Sequence, residues 1–215
     1  MKKILVVIML SFSVASFSAE MVEYTVHQFE ESDTSFQTVR IYSNDKESAL
    51  IQGSARMIFD FEKETLFIID DSIKTCTKLP MAMVGLFFSG LSGLAVASDS
   101  ANPTLVKSEK KYEQDGKLYP QFSIHSDDEK IFTVAYDESL DYTVTRKRID
   151  ALGSIIESLL GFDIQNTFLK SSSGLPVAII YYKSGKAKTE TILNRFGKGS
   201  YEEYFKIPEG YNSEN

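Results

Sequence analysis

Two histidines, His27 and His125, are the imidazoles available to a catalytic base, and Cys76 is the single thiol of the 215-residue sequence. Both histidines fall in segments that alternate polar and apolar residues, which favours strand positions. The stretch 90–93 has the wrong spacing for a Gly-x-Ser-x-Gly nucleophile elbow. The stretch 197–200 lacks the earlier glycine of a phosphate-binding loop and a Ser or Thr directly after its lysine. We therefore predict that the protein is not an enzyme and has no catalytic residues.

Metal and cofactor sites are also not expected. One cysteine and two histidines are too few for a tetrahedral zinc site of the usual composition. The acidic pairs at 70–71 and 127–128 fall in predicted turns, where solvated Asp is ordinary. The acids between 137 and 141 lack the spacing and central glycine of a calcium loop. We predict no metal and no cofactor.

Apolar and aromatic side chains are the remaining candidates for a functional role, and the chain has 15 Phe and 11 Tyr. Met57, Phe59 and Phe61 share one face of a predicted strand, and Phe67 and Ile69 share one face of the next. These side chains either fill an ordinary core or line a cavity for an apolar ligand. The candidate ligand-contacting or lid residues are Met57, Phe59, Phe61, Phe67, Met83, Phe87, Phe88, Leu91 and Leu94.

Residues 79–98 form a charge-free segment of twenty residues between Lys78 and Asp99. It is long enough to span a membrane, and lysines follow it at 107, 110 and 111. Spanning would place the predicted strands on opposite sides of a bilayer and leave two half-sheets with exposed edges. A helix in the folded domain would instead be buried, or would form a deformable lid over an apolar cavity. Core helix, lid and membrane span remain the alternatives.

The N-terminus predicts export. Met1-Lys2-Lys3 precedes a short apolar run and then small residues, the order found in signal peptides, which we assign to residues 1–19. Its removal leaves 21 basic and 30 acidic residues, a net charge of −9, which disfavours nucleic acid and anionic membrane surfaces. We predict a periplasmic protein, with secretion from the cell as the alternative. Cys76 has no partner in the chain, and burial in a strand is the favoured interpretation.

Residues 20–215 are predicted to form a single α+β domain built on an antiparallel sheet with one wet face. Helical spacing of apolar residues predicts an amphipathic helix over 146–160 that packs on the sheet and ends at Gly161. The predicted strands are 23–29, 36–42, 49–52, 56–61, 65–69, 74–79, 106–113, 118–126, 130–136, 177–183, 188–196 and 202–207. Turns are predicted at 62–64, 70–72, 114–116, 126–128 and 184–185.

The hairpins over 56–70 and 73–79, and the ending over 174–177 and 205–211, resemble the LolA/LolB-like lipoprotein-carrier superfamily. The sequence is most similar to an uncharacterised exported family of that fold. The resemblance implies a strongly curved, unclosed antiparallel half-barrel wrapped around one or two helices, with an apolar interior that holds acyl chains in carriers. It also implies that residues 79–98 form a helix in that interior.

Two functional hypotheses follow. The first is an exported envelope protein that binds a lipid, a lipoprotein acyl chain or another apolar ligand under a helical lid. The second is a non-catalytic envelope interaction or accessory module with a fully packed interior. Lipid, an acylated protein or other envelope proteins are the expected partners, and nucleic acid is not.

Overall fold

A computed structural model gives the fold of this protein. The structure describes residues 19–29, 34–84, 104–126, 129–152 and 174–214. Residues 1–18 of the predicted signal peptide lie outside this part of the chain, and Ala19 is the first residue of the first strand. Two further predictions are only partly covered: residues 85–98 of the charge-free segment and residues 153–160 of the predicted helix also lie outside it.

Antiparallel pairing organises the described residues into one 12-stranded sheet and one separate hairpin. The strands are β1 Ala19–Phe29, β2 Thr34–Ser43, β3 Glu47–Gln52, β4 Ala55–Asp60, β5 Thr65–Asp70, β6 Thr75–Pro80, β7 Thr104–Lys107, β8 Tyr112–Gln114, β9 Lys117–Tyr119, β10 Gln121–Ser126, β11 Glu129–Asp137, β12 Leu175–Lys183, β13 Lys186–Gly199 and β14 Asn212–Glu214. Helix α1 is Thr143–Ala151, and short 3-10 helices cover Met81–Met83 and Glu202–Phe205. The predicted combination of an antiparallel sheet and a helix is confirmed.

The strand order of the large sheet is β14-β6-β5-β4-β3-β2-β1-β13-β12-β11-β10-β7, and β8 pairs with β9. Neighbours in the large sheet run antiparallel except β14, which adds to β6 in parallel. The N-terminal strand β1 lies in the interior of the sheet, between β2 and β13, whereas the C-terminal strand β14 lies at its edge.

Tight turns join described strands at predicted positions, and residues 127–128 of the predicted turn at 126–128 lie outside the described residues. Asp115 and Gly116 have φ of 52° and 75°, and Ser184 and Gly185 have φ of 52° and 72°. Two successive residues with positive φ give the turn geometry that matches the twist of a hairpin. The predicted turns at 114–116 and 184–185 are therefore confirmed.

Three predicted strands are wrong in extent or type. The segment 106–113 contributes to two sheets, because β7 pairs with β10 whereas β8 turns back to pair with β9. The segment 118–126 is divided at Pro120, which separates β9 from β10. The segment 202–207 begins as the 3-10 helix Glu202–Phe205. In a 3-10 helix, residues three apart lie on one side, which lets Tyr201 and Tyr204 both contact Tyr42.

One row of directly paired residues crosses six strands. The row is Glu20, Ser43, Ser48, Phe59, Leu66 and Leu79, from β1 to β6. Paired residues share a face, so this row defines what we call the helix face of the sheet. Its β1 end is polar and its β6 end is apolar. Helix α1 covers the polar end, where it contacts β1, β2 and β3.

The adjacent row defines the opposite face, which we call the tail face. This row is Met21, Tyr42, Ala49, Ile58 and Phe67. The partly buried aromatic residues Tyr201, Tyr204, Phe205 and Tyr211 pack against it. Buried Cys76 belongs to the same core, as predicted, and burial raises the pKa of its thiol. The C-terminal segment therefore covers part of the face that was expected to be wet, whereas Phe36, Thr38 and Arg40 on the same face of β2 are exposed.

Helix α1 begins earlier than predicted because polar groups from other elements hold its first turn. The side chain of Asp141 accepts hydrogen bonds from the N–H and hydroxyl of Thr143 at 3.4 and 2.5 Å. The buried carboxylate of Glu20 accepts the N–H of Thr145 at 2.7 Å. The buried side chains of α1 are Thr145 and Arg148, so its described part is not the apolar face that the spacing predicts.

Gly174 marks a close backbone approach at the start of β12. A Cβ at this position would lie 2.8 Å from the backbone C and O of Asp137. We expect Gly174→Ala to lower the free energy of unfolding by about 1–3 kcal/mol, because backbone atoms must move to admit the methyl group. Urea denaturation measures this change.

Gly199→Ala is the matched control for Gly174→Ala. A Cβ at Gly199 would meet the Tyr201 ring at 3.4 to 3.7 Å, which is ordinary contact. We expect a change within about 0.5 kcal/mol. Equal stability of the two variants would contradict the close approach at Gly174.

Candidate apolar binding site

An apolar cluster occupies the β6 end of the helix face. Phe59 and Leu66 lie side by side on β4 and β5, and Val84 packs on them with no exposed surface. The partly buried residues around these three are Met57, Phe61, Ile68, Met81 and Leu152. Two distant parts of the chain therefore converge here, the start of the charge-free segment and the end of α1.

The structure separates the candidate residues into groups. Met57, Phe59 and Phe61 belong to the apolar cluster on the helix face. Phe67 packs on the tail face with the C-terminal aromatic residues, so it does not join them. Met83 is half exposed. Phe87, Phe88, Leu91 and Leu94 lie outside the described residues.

A buried arginine stands at the margin of the cluster. Arg148 of α1 is 7% exposed, and its guanidinium carbon lies 4.8 Å from the centre of the Phe61 ring. Its Nε donates to the backbone oxygen of Asn44 at 2.9 Å. Burial lowers the pKa of Arg148, and the nearby Asp45 and Glu62 partly offset this effect. The sequence pattern missed Arg148 because only the fold brings the 146–150 region against Phe61.

A network of charged side chains lies at the polar end of the helix face, next to β1. Lys198 of β13 lies 2.7 Å from Asp141 Oδ2 and 3.6 Å from the buried Oε1 of Glu20. Hydrogen bonds from Lys198 and Thr143 lower the pKa of Asp141 to about 2. The hydrogen bond to Asp141 raises the pKa of Lys198. These charges fix the start of α1, which in turn sets the position of Arg148.

A cavity of about 520 Å³ lies around Phe67 and the C-terminal segment. Its lining residues are Glu47, Asp60, Lys63, Phe67, Phe205, Lys206, Ile207, Pro208 and Glu209. Burial raises the pKa of Glu47. Burial would also raise the pKa of Asp60, but hydrogen bonds from the side chain and backbone of Lys63 lower it below its usual value. Glu47, Asp60, Lys63, Lys206 and Glu209 are charged lining residues, and they make this cavity less suited to an apolar ligand than the cluster on the helix face.

In the described part of the chain, three or more His, Cys, Asp or Glu side chains do not come together in a way that would hold a metal ion. The helices of the same residues are too short or too polar to cross a membrane.

Known proteins were compared with the chain by sequence and by structure. No family model and no curated protein matches the sequence. An uncharacterised conserved protein from Thermus thermophilus matches with a TM-score of 0.51 and 7% identity, over 92% of this chain and 90% of that one. This similarity shows a shared fold.

Structures from the group that the sequence resembles also match. A LolA superfamily protein from Nitrosomonas europaea has 10% identity and a TM-score of 0.36, covering 84% of this chain and 86% of that one. A putative outer membrane lipoprotein-sorting protein domain from Vibrio parahaemolyticus has 7% identity and a TM-score of 0.32, covering 87% and 88%. With TM-scores below 0.5, these two matches do not bear on function.

The network at the start of α1 predicts an acid titration. We expect the carboxyl of Asp141 to titrate at about pH 2, and Lys198→Met to move this midpoint toward the value of about 4 for a free Asp. Because the folded pKa is depressed, the stabilisation by this pair is complete above about pH 4 and is lost as the pH falls toward 2. Carbon-detected NMR titration of the side-chain carboxyls measures the midpoint.

The carboxyl of Asp70 provides the internal control for this titration. Hydrogen bonds from Ser72 lower its pKa, and it does not contact Lys198. Its midpoint should be the same in the wild type and in Lys198→Met. An unchanged midpoint for Asp141 in that variant would show that Lys198 does not set its pKa.

Proposed function

We propose that this protein is an exported, non-catalytic envelope protein that binds an acyl chain or a similar apolar ligand on the helix face. The main support for this proposal is the apolar cluster of Phe59, Leu66 and Val84, against which two separate chain segments pack. The proposal includes a periplasmic location and a strongly curved half-barrel in which the 79–98 segment acts as the lid.

The first residues of the charge-free segment support this location for the ligand. The 3-10 helix Met81–Met83 follows β6 directly, and Val84 after it is buried against the cluster. Met81 is partly buried there as well. The charge-free segment thus begins directly at the apolar cluster. A lid over a ligand at this cluster would need to be attached there.

Flexible and partly exposed side chains favour ligand contact at the edge of the cluster. Met57 and Met81 surround the buried core of the cluster and keep some exposed surface. Methionine side chains adapt to ligands of different shape. Each methylene of an acyl chain buried here would contribute about 0.8 kcal/mol to binding. The resemblance of the sequence to lipoprotein carriers supports the same ligand class.

A second candidate function is an interaction module, and the edge strand β7 favours it. β7 pairs with β10 alone in the described sheet, and all four of its residues are exposed. Leu105 and Val106 are among the exposed large apolar residues. An edge strand of this kind can pair with a strand of another envelope protein.

Native mass spectrometry tests the proposed function directly. The mature protein is expressed with its own signal peptide and released by osmotic shock without detergent. We expect a mass above that of the chain, and the added mass should dissociate as an acyl-containing lipid. A bare mass for the folded protein would contradict ligand binding and favour the interaction module.

A matched pair of substitutions locates the ligand. Met57 and Phe67 are half-buried on neighbouring strands but belong to opposite faces. We expect Met57→Ser to weaken binding of a fluorescent polyene fatty acid about 10-fold, which corresponds to roughly 1.4 kcal/mol of lost apolar contact. Phe67→Ser should leave the affinity unchanged.

Thermal melts show whether both variants are folded at the assay temperature. Loss of binding in Phe67→Ser but not in Met57→Ser would place the ligand on the tail face, in the cavity around Phe67. The helix-face proposal would then be wrong.

A further inference from the structure

We infer that Arg148 binds the anionic head group of the ligand, and that this ligand is a long-chain fatty acid in its carboxylate form. This inference rests on the proposed function and adds to it the chemistry of the polar end of the ligand. It follows from the position, burial and partners of the Arg148 side chain.

Position is the first argument. The Arg148 guanidinium stacks over Phe61, and Phe61 packs against the apolar cluster. An acyl chain lying along the partly exposed Met57 and Phe61 would therefore have a fixed positive charge at the edge of its binding surface. A single-chain amphiphile with one charged end matches this arrangement of one cation beside one apolar surface.

The partners of Arg148 are the second argument. Its Nε is bound to the backbone oxygen of Asn44. Among the described residues, no carboxylate lies within 4.0 Å of the guanidinium, whereas Arg56, the buried arginine of the tail face, pairs with Asp71 at 2.9 Å. Burying a guanidinium that has no directly paired carboxylate is costly even with Asp45 and Glu62 nearby, and a ligand carboxylate can accept two parallel hydrogen bonds from such a group.

The surrounding charges favour a single negative charge on the ligand. Asp45 and Glu62 lie close enough to act on Arg148 electrostatically. Glu62 is already paired with Lys46 at 3.1 Å. Their negative charges oppose the entry of a dianionic phosphate more strongly than that of a carboxylate. We therefore assign a carboxylate and not a phosphate monoester to this position.

Paired ligands test the inference on the mature, delipidated protein. Palmitate and its neutral methyl ester are compared by competition with the fluorescent polyene fatty acid. We expect the wild type to prefer palmitate by at least 10-fold. Arg148→Met should bind the two ligands equally, with the affinity for the ester unchanged, because the aliphatic part of the side chain is kept.

Lys147→Met is the matched control, since it removes one positive charge from the exposed side of the same helix. It should retain the preference for palmitate. Loss of the preference in both variants would indicate a general effect of net charge and overturn the role of Arg148.

Three other outcomes separate the possible failures. Equal binding of palmitate and the ester by the wild type would overturn this inference and leave the proposed function intact. Tighter binding of hexadecyl phosphate than of palmitate would overturn the assignment of a carboxylate. Binding of none of these ligands would overturn the proposed function itself.

Discussion

The register of β1 to β6 is the constraint on which the rest of the structure depends. It aligns one carboxylate, two hydroxyls and three apolar side chains in a single row across the sheet. The hydroxyls of Ser43 and Ser48 form a hydrogen bond with each other at 3.1 Å, and the carboxylate of Glu20 accepts a backbone N–H from the first turn of α1. A shift by one residue would exchange the two faces of a strand, which would move Phe59 out of the apolar cluster and bury polar groups without partners. The row thus determines where the helix can lie and where apolar surface remains.

The two faces of this sheet are closed by different means. The C-terminal segment covers the tail face with aromatic rings, including Tyr204 stacked on Tyr42 at 4.0 Å between centroids. Arg56 binds the backbone oxygen of Lys206, and Tyr211 donates to Asp71, so hydrogen bonds also fasten this segment. The helix face is covered at its polar end by α1 and at its apolar end by a short segment that carries no charge. The proposed ligand site is therefore on the helix face, where the cover relies on apolar contact.

The sequence was informative where local patterns decide the structure. Period-two alternation and turn residues located most strands, since Asp115-Gly116 and Ser184-Gly185 favour tight hairpins wherever they occur. The sequence was not informative where contacts between residues far apart in the chain decide the structure. Glu20 holds the start of α1 from 125 positions away, and the Tyr201 and Tyr204 rings draw 202–205 out of an extended conformation onto Tyr42. For the site, apolar spacing selected Met57, Phe59 and Phe61 correctly as neighbours. It could not place Phe67 on the other face of the sheet, nor bring Arg148 to Phe61.

Charge pairing distinguishes the two buried arginines, and this difference bears on function. Arg56 has a carboxylate partner within the fold, so its charge is compensated whether or not a ligand is present. Arg148 has a backbone carbonyl, an aromatic face and the more distant charges of Asp45 and Glu62 in the described structure, and these compensate a desolvated guanidinium only in part. A merely structural contact with Asn44 requires one hydrogen-bond donor, which a neutral side chain could supply without the cost of burying a charge. Retaining a full positive charge beside an apolar surface is favourable when an anion completes it, and an amphiphile brings that anion together with the chain that the surface can bury.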